Sequence, residues 1–260
     1  MKISVLCLSL SLIACFAAAA QAPATSPKPA TRSSGSAAAH PATHRMTVDP
    51  ALLHPAQLKA RAPETFEATF DTTKGTFVVQ VTRAWAPIGA DRFYNLVKHG
   101  FFNGAPFFRV VPGFVVQFGL TGDKNVNHAW ENASIKDDPV KQNNVPGTLV
   151  FAATSQPNSR STQLFINLGN NSGSLDPQGF APFGKIVSGM DVVQSIYSGY
   201  GEQPDQGRIT DDGSAYFLKA FPRMDLIKSA TVTSSEPSTP HSPTTTTPHS
   251  TGTGSTKPTH

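Results

Sequence analysis

Phe107-Phe108-Arg109-Val110-Val111-Pro112-Gly113-Phe114-Val115-Val116-Gln117 is an apolar run broken by one arginine and one glutamine. An arginine keeps its charge at any physiological pH, so it is rarely set among buried apolar residues without a partner or a task. The run predicts strands at 107–111 and 114–118, and it marks where the chemistry is to be sought.

Upstream, Phe66, Ala68 and Phe70 alternate with Glu67, Thr69 and Asp71, the period of a half-buried strand. Thr72-Thr73-Lys74-Gly75 supplies a turn and Phe77, Val79 and Val81 resume the alternation, so a β-hairpin is expected. Pro87 opens a helix in which Ala90, Phe93, Tyr94 and Val97 share a face, and Gly100 stops it. Downstream, strands are expected at 148–152, 164–168, 183–187 and 223–230, with a second helix at 190–197. Many short strands and two helices predict a mainly β domain over 64–230, a barrel with helical plugs and length enough for one sizeable core.

Neither end of the 260-residue chain resembles that domain. Residues 1–20 read as an export signal: Met1-Lys2 is positive, an apolar stretch follows, and alanines close it. Ala18-Ala19-Ala20 fits an Ala-x-Ala cleavage site, while Leu12-Ile13-Ala14-Cys15 has the form of a lipobox whose cysteine would carry lipid. The lipobox lies early and apolar sequence continues past Cys15, which favours a soluble exported protein, periplasmic or secreted. Both cysteines, Cys7 and Cys15, lie in this segment, so the mature chain has no disulfide of its own. Residues 21–63 form a tether, rich in Ala, Pro, Ser and Thr up to His44. It ends in a semi-ordered arm where Asp49-Pro50 marks a helix start and Leu52, Leu53 and Leu58 give a weak apolar face. Residues 231–260 are a disordered Thr/Ser/Pro-rich tail whose histidines lack the carboxylates and spacing of a metal site. A net charge of only +4 with no Lys/Arg block argues against a nucleic-acid partner.

Three blocks resemble one family. Phe107-Phe108-Arg109-Val110-Val111-Pro112-Gly113-Phe114-Val115-Val116-Gln117-Phe118-Gly119 follows the Phe-His-Arg, Pro-x-Phe, Gln-Gly-Gly pattern of the cyclophilins, the cyclosporin-binding peptidyl-prolyl isomerases. Gln163-Leu164-Phe165-Ile166-Asn167 is similar to their Gln-Phe-Phe-Ile stretch, and Phe183-Gly184-Lys185-Ile186-Val187-Ser188-Gly189-Met190 to their Phe-Gly-x-Val-x-x-Gly-Met segment. The resemblance implies an eight-stranded antiparallel barrel capped by two α-helices. It also implies a site in which Arg109 is catalytic, Phe114, Val115, Leu164, Phe165 and Phe180 shape a proline pocket, Gln117 holds the substrate backbone, and Ala153 and Thr154 line the neighbouring groove. The implied partners are proline-containing polypeptides. The protein is expected to act as a monomer without a cofactor or metal, touching membrane only if lipidated at Cys15.

The chemistry can be argued from the residues. An X–Pro bond rotates against a barrier of roughly 18–20 kcal/mol. Rotation breaks no bond; it needs the amide resonance weakened, and a fixed guanidinium can donate toward the prolyl nitrogen as its lone pair localises. An acceleration of about 10⁵ needs about 7 kcal/mol, whereas one charge-assisted hydrogen bond supplies about 1.5–3 kcal/mol net. The apolar pocket must supply the rest by positioning and by excluding water.

Each assignment has a structural alternative: core packing for Phe114, Leu164 and Phe165, a backbone-satisfying strand residue for Gln117, and an ion pair with a carboxylate such as Asp176 or Glu131 for Arg109. The chain also departs from the pattern. Phe108 stands where the motif has histidine, Phe118 where it has the first glycine, Phe180 where the family has a pocket histidine, and no tryptophan falls near Ser174-Leu175. These departures predict a more apolar groove and weigh against cyclosporin sensitivity. Asp137, Asp138, Glu202, Asp211 and Asp212 read as solvated loop carboxylates, and residues 199–208 as an insertion-like loop. Two functions fit: an isomerase assisting the folding of exported proteins, or a non-catalytic module that holds proline-containing segments at the cell envelope.

Overall fold

A computed structural model describes residues 48–233. The readings of the export signal, of the tether before residue 48 and of the tail after residue 233 lie outside the described residues.

Alternation builds the first hairpin. Thr65–Thr72 (β1) and Gly75–Thr82 (β2) pair antiparallel with Thr72 opposite Gly75, and Gly75 holds φ 128, a conformation side chains resist. The remaining strands are Arg109–Val111 (β3), Val115–Phe118 (β4), Thr148–Phe151 (β5), Leu164–Asn167 (β6), Pro182–Ser188 (β7) and Ile227–Thr233 (β8). All eight form one antiparallel sheet in the order β3-β4-β6-β5-β7-β2-β1-β8. The sheet curls into an open barrel, and the segment ahead of β3 reaches the segment ahead of β8. Gly104 N–H donates to Ile227 O (2.7 Å), Ile227 N–H to Ala105 O (2.9 Å) and Phe107 N–H to Asp225 O (3.0 Å). This is the expected barrel. The last strand starts at Ile227, later than expected; ahead of it the Asp225 carboxylate accepts from Thr73 Oγ1 at 2.6 Å and from Tyr197 N–H at 2.8 Å.

Phenylalanines fill the interior. Phe70 stacks on Phe77 (4.9 Å between centroids), and Phe118 meets Phe102 at 5.6 Å and Phe107 at 5.5 Å. Phe118 therefore points into the barrel and does not make the groove more apolar.

Pro87–Lys98 (α1) runs as expected. At its end Gly100 sits at φ 70, with Gly100 N–H on Val97 O (3.0 Å) and Phe101 N–H on Leu96 O (2.9 Å), a Schellman closure. At its start the N–H groups of Ile88 and Gly89 donate to Asp138 at 3.2 and 2.8 Å, so Asp138 is a buried helix cap and no solvated carboxylate. Asp137, likewise read as solvated, pairs with the buried Arg160.

The described residues contain six α-helices where two were expected: α1, Lys124–Glu131 (α2), Ser172–Leu175 (α3), Met190–Gln194 (α4), Gln206–Asp212 (α5) and Ser214–Ala220 (α6). Helix α4 is the second expected one, shortened. Asp205 caps α5 by accepting from Arg208 N–H, so the supposed loop ends in helix from Gln206 on. Together α5 and α6 bury Ile209 and Phe217 against Phe108 and Leu120, forming a second small core. Phe108 is thus 1% exposed and does not make the groove more apolar.

The arm at 48–63 is packed. Leu52 is buried, Trp130 Nε1 donates to Leu52 O (2.8 Å), and Asn95 exchanges hydrogen bonds with Ala60. The packed body extends N-terminally past Glu64 to this arm, and C-terminally through Thr233.

Because Phe118 fills the centre of the barrel, Phe118→Ala is expected to cost about 3–5 kcal/mol of stability in a denaturant titration. A change below ~1 kcal/mol would place it outside the core.

Candidate active site

Strand alternation separates core from site. Val110, Val116 and Phe118 enter the barrel core, which leaves Arg109, Val115 and Gln117 on the outer face of β3 and β4. The two strands are joined through Pro112-Gly113, with Phe114 N–H on Val111 O (3.0 Å) and Gly113 at φ 73. The register then sets Arg109 opposite Gln117. Next to β4, β6 places Phe165 opposite Gln117, and β5 places Val150 opposite Phe165.

Val115, Val150, Phe165 and Leu175 pack into one apolar cluster, with Phe114, Ala152 and Phe180 against it. Phe165 meets Phe180 edge-on at 5.7 Å. The wall that carries Leu175 and Phe180 is anchored. Asn144 donates to Phe180 O (2.8 Å) and Asp176 Oδ1 (2.7 Å), and Arg160 donates to Gly179 O (2.6 Å) with its guanidinium 5.6 Å from the Phe180 ring.

A polar line runs beside this cluster. Arg109 donates from Nε to Glu202 Oε1 at 2.6 Å, with Nη2 also 2.6 Å from that oxygen in the ion pair, and from Nη1 to Gln117 Oε1 at 3.3 Å. Its guanidinium lies 5.5 Å from the Phe114 ring centroid. Gln117 passes the line on, its Nε2 donating to Gln163 Oε1 at 2.9 Å. Beyond Gln117 opens a groove of about 470 Å³, lined by Ala152, Ala153, Thr154, Ser159 and Gln163 on one side and by α2 and α5 residues such as Trp130 and Gln206 on the other.

The structure thus gathers Arg109, Phe114, Val115, Gln117, Phe165 and Phe180 at one place and puts Ala153 and Thr154 in the adjoining groove. Leu164 is a correction. It is fully buried in the barrel core, because its neighbour Phe165 takes the outer face and adjacent strand residues point opposite ways. Arg109 pairs with neither Asp176 nor Glu131; its partner is Glu202, which was read as a solvated loop carboxylate. Val150, Leu175 and Gln163 were not foreseen as site residues. Val150 was findable from the alternation of β5, which puts Leu149 and Phe151 inward.

Gly119 makes the Gln117–Gln163 contact possible. It holds φ 107, and a Cβ there would collide with the Thr162 carbonyl. Gly119→Ala is therefore expected to cost about 1–3 kcal/mol in urea unfolding, and a neutral result would refute the tight approach.

The chain matches the family described as cyclophilin type peptidyl-prolyl cis-trans isomerase/CLD over residues 67–213. It is 38% identical over 129 residues to a peptidyl-prolyl cis-trans isomerase of Acinetobacter baylyi, covering 48% of this chain and 68% of that one. To peptidyl-prolyl cis-trans isomerase B of Escherichia coli it is 34% identical over 140 residues, covering 49% and 82%. Its fold matches the crystal structure of a Cryptosporidium parvum cyclophilin type peptidyl-prolyl cis-trans isomerase with a TM-score of 0.50 at 18% identity, over 66% of this chain and 99% of that one. The chain belongs to the cyclophilin-type peptidyl-prolyl cis-trans isomerase family.

Proposed function

We propose that the protein is a peptidyl-prolyl cis-trans isomerase that turns X–Pro bonds of exported polypeptides, with Arg109 as its catalytic residue. The observation that carries this reading is the setting of Arg109: one permanent cation, bonded to Gln117, beside the apolar cluster of Val115, Val150, Phe165 and Leu175. In this reading the proline ring lodges among Phe114, Val115, Phe165 and Phe180. Gln117 holds the substrate backbone, and the groove at Ala153 and Thr154 takes the chain beyond it.

As the amide twists, its nitrogen lone pair localises and accepts a hydrogen bond from the guanidinium. That bond supplies about 1.5–3 kcal/mol, so the walls contribute the larger share by holding the ring and excluding water. No bond is broken and no cofactor takes part. The residue 1–20 leader supports an exported site of action, soluble or held at Cys15, with proline-containing chains as partners and a monomer as the working unit. Mass spectrometry of the mature N-terminus separates the two forms: a chain starting at Gln21 leaves no Cys15 to lipidate.

A second reading, a non-catalytic module that holds proline segments, draws on the ion pair: Glu202 already engages Arg109 Nε and lies against Nη2. An exchange assay on an X-Pro peptide decides between them. Wild type is expected to accelerate exchange well above buffer, and Arg109→Ala to lower kcat/KM by about 10–10²-fold. Wild-type exchange no faster than buffer would sink the enzyme reading.

The two faces of β6 give a further test. Leu164→Ala is expected to lose about 2–5 kcal/mol of stability yet keep the turnover of the folded protein, because it leaves a core cavity. Phe165→Ala is expected to lose turnover; equal losses from both variants would contradict the assignment of faces.

A further inference from the structure

We infer that Glu202 is a positioning residue for Arg109, and this rests on the isomerase reading above: the carboxylate fixes the guanidinium before a peptide arrives and leaves the end beside Gln117 to address it. Of five guanidinium N–H donors, Glu202 Oε1 takes the Nε donor and sits equally near Nη2, and Gln117 takes one on Nη1, so three remain. Glu202 grips the side edge of the group, and the unengaged donors belong to its two terminal nitrogens.

The carboxylate is delivered by a built segment. Gly201 O accepts from Val110 N–H at 3.1 Å, one residue along β3 from Arg109 itself. Strand β3 ends the sheet, so this bond fastens 198–203 to its otherwise unpaired edge. Within the segment Gly201 N–H donates to Ser198 O and Gln203 N–H to Tyr200 O, each at 2.9 Å. The Tyr200 ring packs edge-on against Tyr197 and Phe221, each 5.0 Å away. On the far side, Asp205 N–H donates to Tyr216 Oη at 3.2 Å and Asp205 caps α5. The backbone that carries Glu202 is thus tied on both sides, independently of the ion pair.

The energetics favour an effect on turnover over one on stability. The Glu202 side chain is 65% exposed, and an ion pair so exposed contributes little to folding. Arginine has many rotamers, and holding it in one removes an ordering cost from the rate-limiting twist. What this requires of residue 202 is an acceptor oxygen at the right place, so glutamine can substitute and alanine cannot.

The test combines two measurements on the full chain. NMR line-shape analysis of an Ala-Pro peptide yields kcat and KM separately, and ¹⁵N side-chain spectra follow the Arg109 Nε–H, assigned by its loss in Arg109→Ala. Glu202→Ala is expected to lower kcat about tenfold with KM within about twofold. It should leave the melting temperature unchanged and turn a slowly exchanging Nε–H into a fast one. Glu202→Gln is expected to recover most of the turnover and the slow exchange. A Glu202→Ala variant as fast as wild type or faster overturns the proposal, as does an unprotected Nε–H in wild type. Arg109→Ala separates the two levels: if it is slow while Glu202→Ala is not, only the positioning role falls; if it keeps wild-type turnover, the isomerase site falls with it.

Discussion

Two-sidedness of the β-strand is the constraint on which the rest depends. Each strand at the site must serve two environments with alternate residues. In β4, Val116 and Phe118 go to the barrel core while Val115 and Gln117 go outside; in β6, Leu164 and Ile166 go in and Phe165 comes out. Register then does what proximity in sequence cannot. It sets Arg109 opposite Gln117 and Gln117 opposite Phe165, so cation, amide and aromatic ring lie in one row across three strands. A slip of one residue in β4 would send Gln117 into the phenylalanine core and bring Phe118 to the surface.

The same constraint explains the motif's unusual residues. Phe118 takes the place of a glycine by filling the barrel, where it meets Phe102 and Phe107. Phe108 takes the place of a histidine because α5 and α6 cover it, and its ring joins Ile209 and Phe217 in the second core. Neither substitution reaches the groove. Their common effect is to tie the site strands to more of the protein, and the segment that covers Phe108 also brings Glu202 to Arg109.

Much of this was legible in the residues. Alternation gave the hairpin of β1 and β2 with its turn at 72–75, and short apolar runs gave the other six strands. Pro87 and Gly100 bounded α1 by known end preferences. What stayed hidden depended on distant partners. Asp138 looked solvated because the helix N-terminus it caps is 49 and 50 residues away, and Glu202 because Arg109 is 93 residues away. Helices α5 and α6 were hidden because their apolar faces are thin and exist to cover Phe108, a need the local sequence does not reveal. Leu164 was misplaced because matching a contiguous block ignores that neighbours in a strand face opposite ways.

The central claim is that the outer face of β3, β4 and β6, and not the barrel side of those strands, receives the proline. The most direct measurement is a ¹H–¹⁵N, methyl and aromatic ¹H–¹³C NMR titration with an Ala-Pro peptide. Side-chain signals of Val115, Gln117, Phe165 and Phe180 should shift in a saturable manner, while those of Val116, Phe118 and Leu164 stay in place. Shifts concentrated on Val116, Phe118 and Leu164, or none at all on the outer face at saturating peptide, would contradict it.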